Sequence, residues 1–453
     1  MKILIATYWL LPHVGGVWAY IQDLKASLER QGHQVDIFAR HPDKMSYYMI
    51  QSGSRVDKKR FISVIEPYIR DAYAPYAGKI DSWIIEQEIE LCAFALAASF
   101  FGLQKYDLIH AQDVISARAL WQIKPAGIPQ INTIHGCLAN EYWLTRGGQV
   151  PQNSIWKYAC AREYYGVTSS DVSIVPTQWL HRILAGYKVP HAHMEVIPYG
   201  MDIVRFLSRM EEGAALSFPK STSVIICPAR MDYVKGHSCL LEALYRLKQS
   251  RSDWVCLLVG DGDLRQELQQ KASQFGLDQH VIFMGNRSDV PALLKHSDIV
   301  VLPSLHDNQP FTVMEAQVAK KAVVATDAGG IPEMITQGVT GLLAHAGSAG
   351  HLMVCLKALL DDPALRNQLA ANGRQWGLMQ WSLPTMLQRT LSLYDDVLKG
   401  KRVRTAAHPP KSVNKYTPLV RTAFYSRYNM QIPTSFSLVD DHIVGSILFG
   451  ASG

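Results

Sequence analysis

The sequence lacks long apolar runs, clustered cysteines and a dinucleotide-binding fingerprint, and each absence excludes a class of protein. Its longest apolar run, residues 91–103, has about thirteen residues, whereas a helix needs about 20 to cross a bilayer. The apolar start of the chain, residues 3–11, is too short for a signal-peptide core with a cleavage site and predicts a buried first strand. We therefore expect a cytoplasmic protein without a transmembrane segment.

The seven cysteines are scattered along the chain, mostly within apolar runs. None forms a Cys-x-x-Cys pair or a Cys/His cluster with metal-ligand spacing, so we expect reduced thiols and no metal centre built from them. The sequence also has no Gly-x-Gly-x-x-Gly motif, which argues against a dinucleotide cofactor.

The formal charge of +6 is concentrated at the carboxyl end. Residues 400–453 hold seven basic and two acidic side chains, a net charge of +5, which leaves +1 for the first 399 residues. Residues 399–427 have eight basic side chains and no acid, with aromatic residues between them. An anionic membrane surface suits such a segment, but we favour a solvated extension. No nucleic-acid motif accompanies it. Residues 435–449 are apolar enough to pack on the N-terminal domain.

Strand and helix patterns alternate from residue 2 to about residue 399. Residues 2–7 predict a buried strand, and a loop with Gly15-Gly16, a helix and a second strand follow, which makes a parallel β-α-β unit. Residues 84–101 predict a helix, whereas residues 41–80 allow no assignment. We predict an α/β fold of two doubly wound, Rossmann-like domains facing a cleft. The predicted parts are residues 1–204, residues 205–383, a closing helix at 384–399 that packs back on the N-terminal domain, and a basic extension at 400–453.

The most informative stretch is residues 306–335. Two carboxylates, Asp307 and Glu315, lie eight positions apart around Pro310, which suits the first turn of a helix. An apolar strand and the Gly329-Gly330 turn follow. A loop, a helix N-terminus and a glycine-rich turn together predict a site for an anion and a sugar.

Motifs in a fixed order extend this interpretation along the chain. They are residues 12–16, 107–110, 134–136 and 196–202, then Pro228-Ala229-Arg230 with Lys235-Gly236, Val259-Gly260-Asp261-Gly262 and residues 307–333. Each is weak alone, but their order and spacing resemble those of the retaining glycosyltransferases of family 4, which have the GT-B fold. The resemblance covers most of residues 1–399.

The resemblance implies transfer of a sugar from a nucleoside-diphosphate sugar, UDP-linked first and guanosine-linked second, to an acceptor hydroxyl in glycan or glycolipid biosynthesis. The acceptor would be a sugar, a lipid-linked molecule or a small molecule. The sequence offers no clear nucleophile, and the resemblance implies retention by front-face attack. Asp261-Gly262-Asp263 has the spacing of a metal-binding DxD motif but coincides with the family's Gly-Asp-Gly turn, so no cofactor and no metal ion is expected.

The resemblance also assigns roles to residues of the second domain. Arg230 and Lys235 would hold the diphosphate and stabilise the charge that develops on it. Glu315 would accept hydrogen bonds from the ribose hydroxyls, and the backbone at Arg287 would meet the nucleobase. Asp307 stands where the family has a glutamate that contacts the donor sugar. As an alternative to ligand binding, Arg230, Lys235 and Glu315 would be ordinary charged side chains on the surface.

In the first domain the resemblance points to His135, which ends a strand and would contact the donor sugar or the acceptor. His110 is more consistent with packing at the sheet edge. Gly15 and Gly16 would admit the donor phosphate or the acceptor, with an ordinary tight turn as an equal alternative.

The sequence departs from the family pattern in the central stretch. Asp307 is one methylene shorter than the usual glutamate, and capping of the following helix is its alternative role. Gln309-Pro310 replaces the usual Phe-Gly, and Pro310 offers no N–H. Two other functions stay open: a GT-B nucleotide-sugar epimerase, and a non-catalytic binding or scaffold protein. A phosphorylase would need a pyridoxal-binding lysine, and none is evident.

Overall fold

Two β-sheets, one in each half of the chain, organise the structure. The computed structural model describes residues 1–13, 15–145, 153–213, 216, 218–219, 221–402, 416–428, 430–432 and 436–449. Helices cover both faces of each sheet, which explains why most of the parallel strands read as continuous apolar runs. The predicted α/β fold of two Rossmann-like domains is confirmed.

The N-terminal sheet is parallel except at one edge. Its strands are β1 (Lys2–Leu10), β2 (Gln34–Arg40), β3 (Ser46–Met49), β4 (Arg55–Asp57), β5 (Leu108–Ala111), β6 (Gln130–Thr133), β7 (Val172–Val175) and β8 (Met194–Val196). They lie in the order β4-β3-β2-β1-β5-β6-β7-β8, with β3 and β4 as an antiparallel edge. The strand order reverses between β1 and β5, which is where such sheets bind ligands.

Helices, several of which begin at side-chain caps, connect these strands. They are α1 (Gly16–Arg30), α2 (Lys59–Tyr73), α3 (Ser82–Phe100), α4 (Val114–Ile123), α5 (Leu138–Thr145), α6 (Ser154–Val167), α7 (Gln178–Gly186) and α8 (Ile203–Met210). Asp81, Asp113 and Thr177 accept hydrogen bonds from the first turns of α3, α4 and α7. The helix predicted at 84–101 is confirmed as α3.

The C-terminal sheet is parallel throughout its described strands. These are β9 (Ser223–Pro228), β10 (Trp254–Val259), β11 (Val281–Gly285), β12 (Ile299–Leu302), β13 (Ala322–Thr326) and β14 (Leu342–Ala344), in the order β11-β10-β9-β12-β13-β14. Its helices are α9 (His237–Lys248), α10 (Arg265–Gln274), α11 (Val290–Lys295), α12 (Phe311–Val318), α13 (Ala349–Asp361), α14 (Pro363–Gln380) and α15 (Leu383–Leu398). The order reverses between β9 and β12, so the loops after these strands form the second wall of a cleft.

Two helices join the domains. The boundary predicted between residues 204 and 205 falls inside α8, whose Phe206 and Met210 are buried. Helix α15 returns to the N-terminal domain, where the Tyr394 hydroxyl lies 2.7 Å from His110 Nδ1 and Arg389 donates to the Val196 carbonyl oxygen at 2.6 Å. His110 is fully buried, which agrees with a packing role.

The carboxyl-terminal segment is part of the N-terminal domain. It forms α16 (Thr417–Tyr428), which contacts α2, and α17 (Asp441–Phe449), which contacts α6. Phe424 is fully buried and stacks on Phe61 with ring centroids 5.9 Å apart. The solvated extension that we favoured for residues 399–427 is therefore wrong for residues 416–427, and the packing predicted for residues 435–449 is confirmed for residues 436–449. Residues 403–415 lie outside the described residues.

The structure also assigns the stretch 41–80, which the sequence left open. Strands β3 and β4 form a hairpin, and α2 follows with Pro67 inside it. Among the described residues, no helix is both long and apolar enough to cross a membrane.

Candidate active site

The cleft between the domains has a volume of about 720 Å³ and is lined by loops at the carboxyl ends of both sheets. All of the residues that the sequence singled out as site residues line it: Gly15, Gly16, His135, Arg230, Lys235, Arg287, Asp307 and Glu315. The fold thus brings together residues that are separated by up to 300 positions in the sequence.

The two predicted phosphate-binding cations lie on the loop between β9 and α9. A short 3-10 helix, Tyr233–Lys235, begins at Asp232, whose carboxylate accepts from the Lys235 N–H. Gly236 then turns the chain with φ +69°, and a Cβ there would lie 2.0 Å from the Pro303 carbonyl oxygen. Glycine is required at this position because both the left-handed backbone and the close contact exclude a side chain. Arg230 is 61% exposed at the mouth of the cleft.

Lys235 and Asp307 form an ion pair, with Nζ 2.6 Å from Oδ2 and side chains 17% and 12% exposed. Ser304 also donates to the Asp307 carboxylate, at 3.2 Å. The alternative role of Asp307 as a helix cap is wrong, because α12 begins after Pro310 without a side-chain cap. A diphosphate that bound Lys235 would therefore compete with Asp307 for the same ammonium group.

The Gly329-Gly330 turn supports this loop from behind and does not line the cleft. A Cβ on Gly329 would lie 1.8 Å from the Asp307 carbonyl oxygen, and Gly330 N–H donates to that oxygen at 3.0 Å. The glycine pair therefore holds the backbone of Asp307 and Asn308 in place, a supporting role that sequence reasoning did not separate from ligand binding.

Glu315 lies on α12 and lines the cleft together with Arg209. Burial raises the pKa of Glu315 to about 7, although the Arg209 guanidinium lowers it. Arg287 is held by Asp289, with Nε 2.8 Å from Oδ1 and Nη2 2.5 Å from Oδ2. The guanidinium of Arg287 is thus already paired, which is compatible with the predicted use of its backbone.

His135 is the centre of a hydrogen-bond network on the opposite wall. Gln112 donates through Nε2 to the His110 carbonyl oxygen, which directs its Oε1 toward His135 Nε2 at 3.1 Å. His135 Nδ1 lies 2.6 Å from the Tyr199 hydroxyl. Burial lowers the pKa of His135 to about 3, so the ring is neutral. Both ring nitrogens have protein partners, and direct contact with a ligand stays a prediction.

The loop before α12 docks on the N-terminal domain. Asn308 donates to the His135 carbonyl oxygen at 3.0 Å and accepts from the Thr177 hydroxyl at 2.5 Å. The Gln309 side-chain oxygen accepts from the Tyr199 N–H at 2.8 Å. The side-chain amides of Asn308 and Gln309, the second of which departs from the family pattern, therefore bridge the domains.

The space left by the missing side chain of Gly16 is filled by Phe311. A Cβ on Gly16 would lie 2.9 Å from the Phe311 ring, which also stacks on Tyr199. Gly16 thus allows the C-terminal domain to approach α1, and a ligand does not take that position in this arrangement.

Trp9, Glu141 and Arg209 are among the cleft residues that sequence reasoning missed. Trp9 lies near the end of β1, and in the sequence it reads as part of the apolar run of that strand. Glu141 and Arg209 lie on short helices with no motif around them. Only the packing of the two domains shows that these side chains share one cleft.

The Asp261-Gly262-Asp263 turn lies under the Arg230 loop. Asp261 accepts from Arg265 and from the Gly262 N–H, both at 2.9 Å. A Cβ on Gly262 would lie 2.5 Å from the Met231 carbonyl oxygen. Among the described residues, no group of three or more His, Cys, Asp or Glu side chains is arranged to hold a metal ion.

Two domains facing a cleft define the class of protein: this is the GT-B architecture of glycosyltransferases. Anabaena HepE in complex with UDP superposes with a TM-score of 0.61 at 20% identity, covering 87% of this chain and 100% of that one. Sucrose-phosphate synthase from Thermosynechococcus elongatus gives a TM-score of 0.66 at 18% identity, covering 88% and 99%.

Family models identify the chain more closely. The model described as Glycosyltransferase Family 4 matches residues 14–205, and that described as Glycosyl transferases group 1 matches residues 208–376. The chain belongs to family 4 of the glycosyltransferases. It is 24% identical to a D-inositol 3-phosphate glycosyltransferase of Corynebacterium kroppenstedtii, over 86% of this chain and 87% of the relative. It is also 24% identical to an MMP alpha-(1->4)-mannosyltransferase of Mycolicibacterium hassiacum, over 88% and 98%.

Proposed function

We propose that the protein transfers a hexose from a UDP-sugar to an acceptor hydroxyl with retained configuration and without a metal ion. The observation that carries this proposal is the meeting of Arg230, Lys235 and Glu315 in one cleft between the domains. The two cations can neutralise a diphosphate leaving group, and the carboxylate can accept hydrogen bonds from a ribose. Anabaena HepE, which shares the fold, was crystallised with UDP and with UDP-glucose.

The ion pair between Lys235 and Asp307 gives the proposal a mechanism. When the diphosphate binds the Lys235 ammonium group, the Asp307 carboxylate becomes free to accept a hydrogen bond from a hydroxyl of the donor sugar. Negative charge then develops on the departing phosphate beside Lys235 and Arg230, while positive charge develops on the sugar ring. Front-face attack by the acceptor hydroxyl, with its proton passing to the leaving phosphate, gives retention without a protein nucleophile.

Turnover of nucleotide sugars tests the proposal. We expect the purified protein to release UDP from UDP-glucose, UDP-galactose or UDP-N-acetylglucosamine when acceptors are present, without loss of rate in EDTA. Proton NMR of the product should show the anomeric configuration of the donor. Binding of UDP without any release would favour a scaffold protein, and isomerised nucleotide sugar would favour an epimerase. A preference for GDP-sugars would show that the nucleobase of the donor is guanine and not uracil.

The proposal extends to an anionic membrane surface next to α16. This helix exposes Leu419 (51%) and Tyr425 (57%) beside the exposed Arg427, although Phe424 is buried in the core and cannot contribute. Liposome pelleting at low and high salt tests this contact. No binding to anionic vesicles at low salt would reject it.

A further inference from the structure

The N-terminal wall of the cleft contains features that restrict the acceptor. This inference rests on the proposed function, in which the donor occupies the C-terminal wall. The acceptor must then lie against the loops that follow β1, β5 and β6, because those loops form the facing wall. Two side chains stand out there, Trp9 and Glu141.

Trp9 presents an unusually exposed aromatic ring to the cleft. Its side chain is 48% exposed, although it directly follows the buried core of β1. The backbone around it is fixed, because Asp113 accepts hydrogen bonds from the Thr7 hydroxyl at 2.9 Å and from the Tyr8 N–H at 2.8 Å, and Trp9 N–H donates to the Thr7 hydroxyl at 3.2 Å. A rigidly mounted, accessible indole is suited to pack against the apolar C–H face of a sugar ring.

Glu141 places a carboxyl group close to Gly136 in the cleft. Its Oε1 would lie 2.8 Å from a Cβ at position 136, so the close approach depends on Gly136. Burial raises the pKa of Glu141, while Lys235 and Arg230 across the cleft lower it. A carboxyl group in this position can hydrogen-bond to a hydroxyl of a molecule that lies between the two walls.

The distribution of charge argues against a phosphorylated acceptor. The cations that line the cleft are Arg209, Arg230, Lys235 and Arg287, all from α8 or the C-terminal domain. Among the described residues up to Tyr199, no lysine or arginine lines the cleft. His13 does not supply charge, because burial lowers its pKa. With the donor diphosphate neutralising Arg230 and Lys235, an acceptor phosphate would face Glu141 without a partner.

We propose that the acceptor is an uncharged saccharide that stacks on Trp9 and donates a hydroxyl hydrogen bond to Glu141. The stacking fixes the plane of the ring, and the hydrogen bond fixes its rotation on that plane. Together they direct one hydroxyl toward the donor sugar.

This proposal is tested by measuring sugar transfer to a paired panel of acceptors. The donor is UDP-glucose, or whichever donor the turnover screen identifies. The neutral arm contains methyl glycosides of glucose, galactose, mannose and N-acetylglucosamine with the matching disaccharides. The charged arm contains the corresponding 6-phosphates and inositol 3-phosphate. We expect product only in the neutral arm. Product only in the charged arm, or no product from neutral saccharides while the donor is slowly hydrolysed, would overturn the proposal. Absence of donor binding and hydrolysis would instead count against the proposed function.

Substitutions separate stacking from a general loss of structure. Trp9→Ala should raise the acceptor KM about tenfold or more, whereas Trp9→Phe should keep most of the acceptor affinity. Calorimetry should show that Trp9→Ala binds the donor as the wild type does, which would mean that its cleft is intact. Glu141→Gln should raise the acceptor KM and weaken the discrimination against the 6-phosphates. Tyr245→Ala, an exposed aromatic (42%) outside the cleft, is the matched control. An unchanged acceptor KM in Trp9→Ala would reject the stacking.

Discussion

At the scale of single residues, the site is defined by which groups already have partners. Lys235 is paired with Asp307, Arg287 with Asp289, and both ring nitrogens of His135 have protein partners. Sequence motifs predicted that these residues share a site. They did not predict these pairings, because pairing depends on side-chain geometry between distant loops. Glu315 differs from them, since burial raises its pKa to about 7 and brings its ionisation into the range of ordinary assays.

Glu315 is expected to make donor binding dependent on pH. Because its raised pKa keeps the proton on the carboxyl group up to about pH 7, and ribose hydroxyls bind best to the ionised form, UDP-glucose affinity should rise about tenfold from pH 6 to pH 8. Burial lowers the pKa of His135 to about 3, so this ring does not titrate in this range, and burial also lowers the pKa of His13. Titration calorimetry with UDP-glucose at pH 6 and at pH 8 checks this expectation.

The control for this effect is a matched glutamate. Glu315→Gln should bind UDP-glucose with an affinity that does not change between pH 6 and pH 8. Glu242→Gln, whose native carboxylate pairs with Lys271 on the surface, should keep the wild-type pH dependence. A Glu315→Gln variant that still shows the tenfold rise would place the titrating group elsewhere.

At the scale of elements, the sequence predicted the long periodic segments well and the aperiodic ones poorly. Buried parallel strands and α3 are evident from their apolar runs, whereas the hairpin of β3 and β4 and the proline-containing α2 have no regular pattern. Helix α16 was misjudged because the charge of residues 399–427 suggested solvent. Apolar side chains of the carboxyl-terminal segment in fact fill the outer face of the N-terminal domain core, among them Phe424 and Phe436.

The carboxyl-terminal segment is expected to be essential for stability. Asp440 forms an ion pair with Arg118 at 2.6 Å, with both side chains no more than 3% exposed. Asp440→Ala leaves the Arg118 guanidinium buried without its carboxylate, so the free energy of unfolding should fall by about 3–5 kcal/mol. Urea unfolding monitored by fluorescence measures this change.

An exposed aspartate serves as the comparison. Asp395 on α15 pairs with Lys399 at 2.5 Å, and the two side chains are 54% and 58% exposed. Asp395→Ala should lower the unfolding free energy by no more than about 1 kcal/mol. If Asp440→Ala were equally mild, the segment would be an appendage and not part of the core.

At the scale of the whole molecule, the side-chain amides of Asn308 and Gln309 link the two domains. Asn308 bonds to His135 and Thr177, and Gln309 bonds to Tyr199. The sequence showed that Gln309 departs from the family pattern, but the consequence depends on how closely the domains approach. We interpret these bonds as stabilising the closed arrangement in which both walls of the cleft face each other.

Asn308→Ala should therefore favour domain opening. Two lost hydrogen bonds of about 1 kcal/mol each reduce the preference for the closed arrangement by about 30-fold. Small-angle X-ray scattering without ligand should show a larger radius of gyration than in the wild type. Asn372→Ala, which removes an amide that bonds to the Val339 carbonyl oxygen within one domain, should leave it unchanged. Equal radii for all three proteins would contradict the bridging role.

We propose that the cleft holds a nucleotide-sugar diphosphate on Lys235 and Arg230, and the dissociation constant of UDP-glucose tests this binding most directly. Lys235→Met should weaken binding about 10- to 100-fold, because a charge-assisted hydrogen bond is lost. Part of that loss comes from the uncompensated Asp307 carboxylate, so Lys235→Met with Asp307→Asn should recover some affinity. Lys271→Met, a paired lysine of the same domain outside the cleft, should bind as the wild type does. Wild-type affinity in Lys235→Met and in Arg230→Gln would contradict the account.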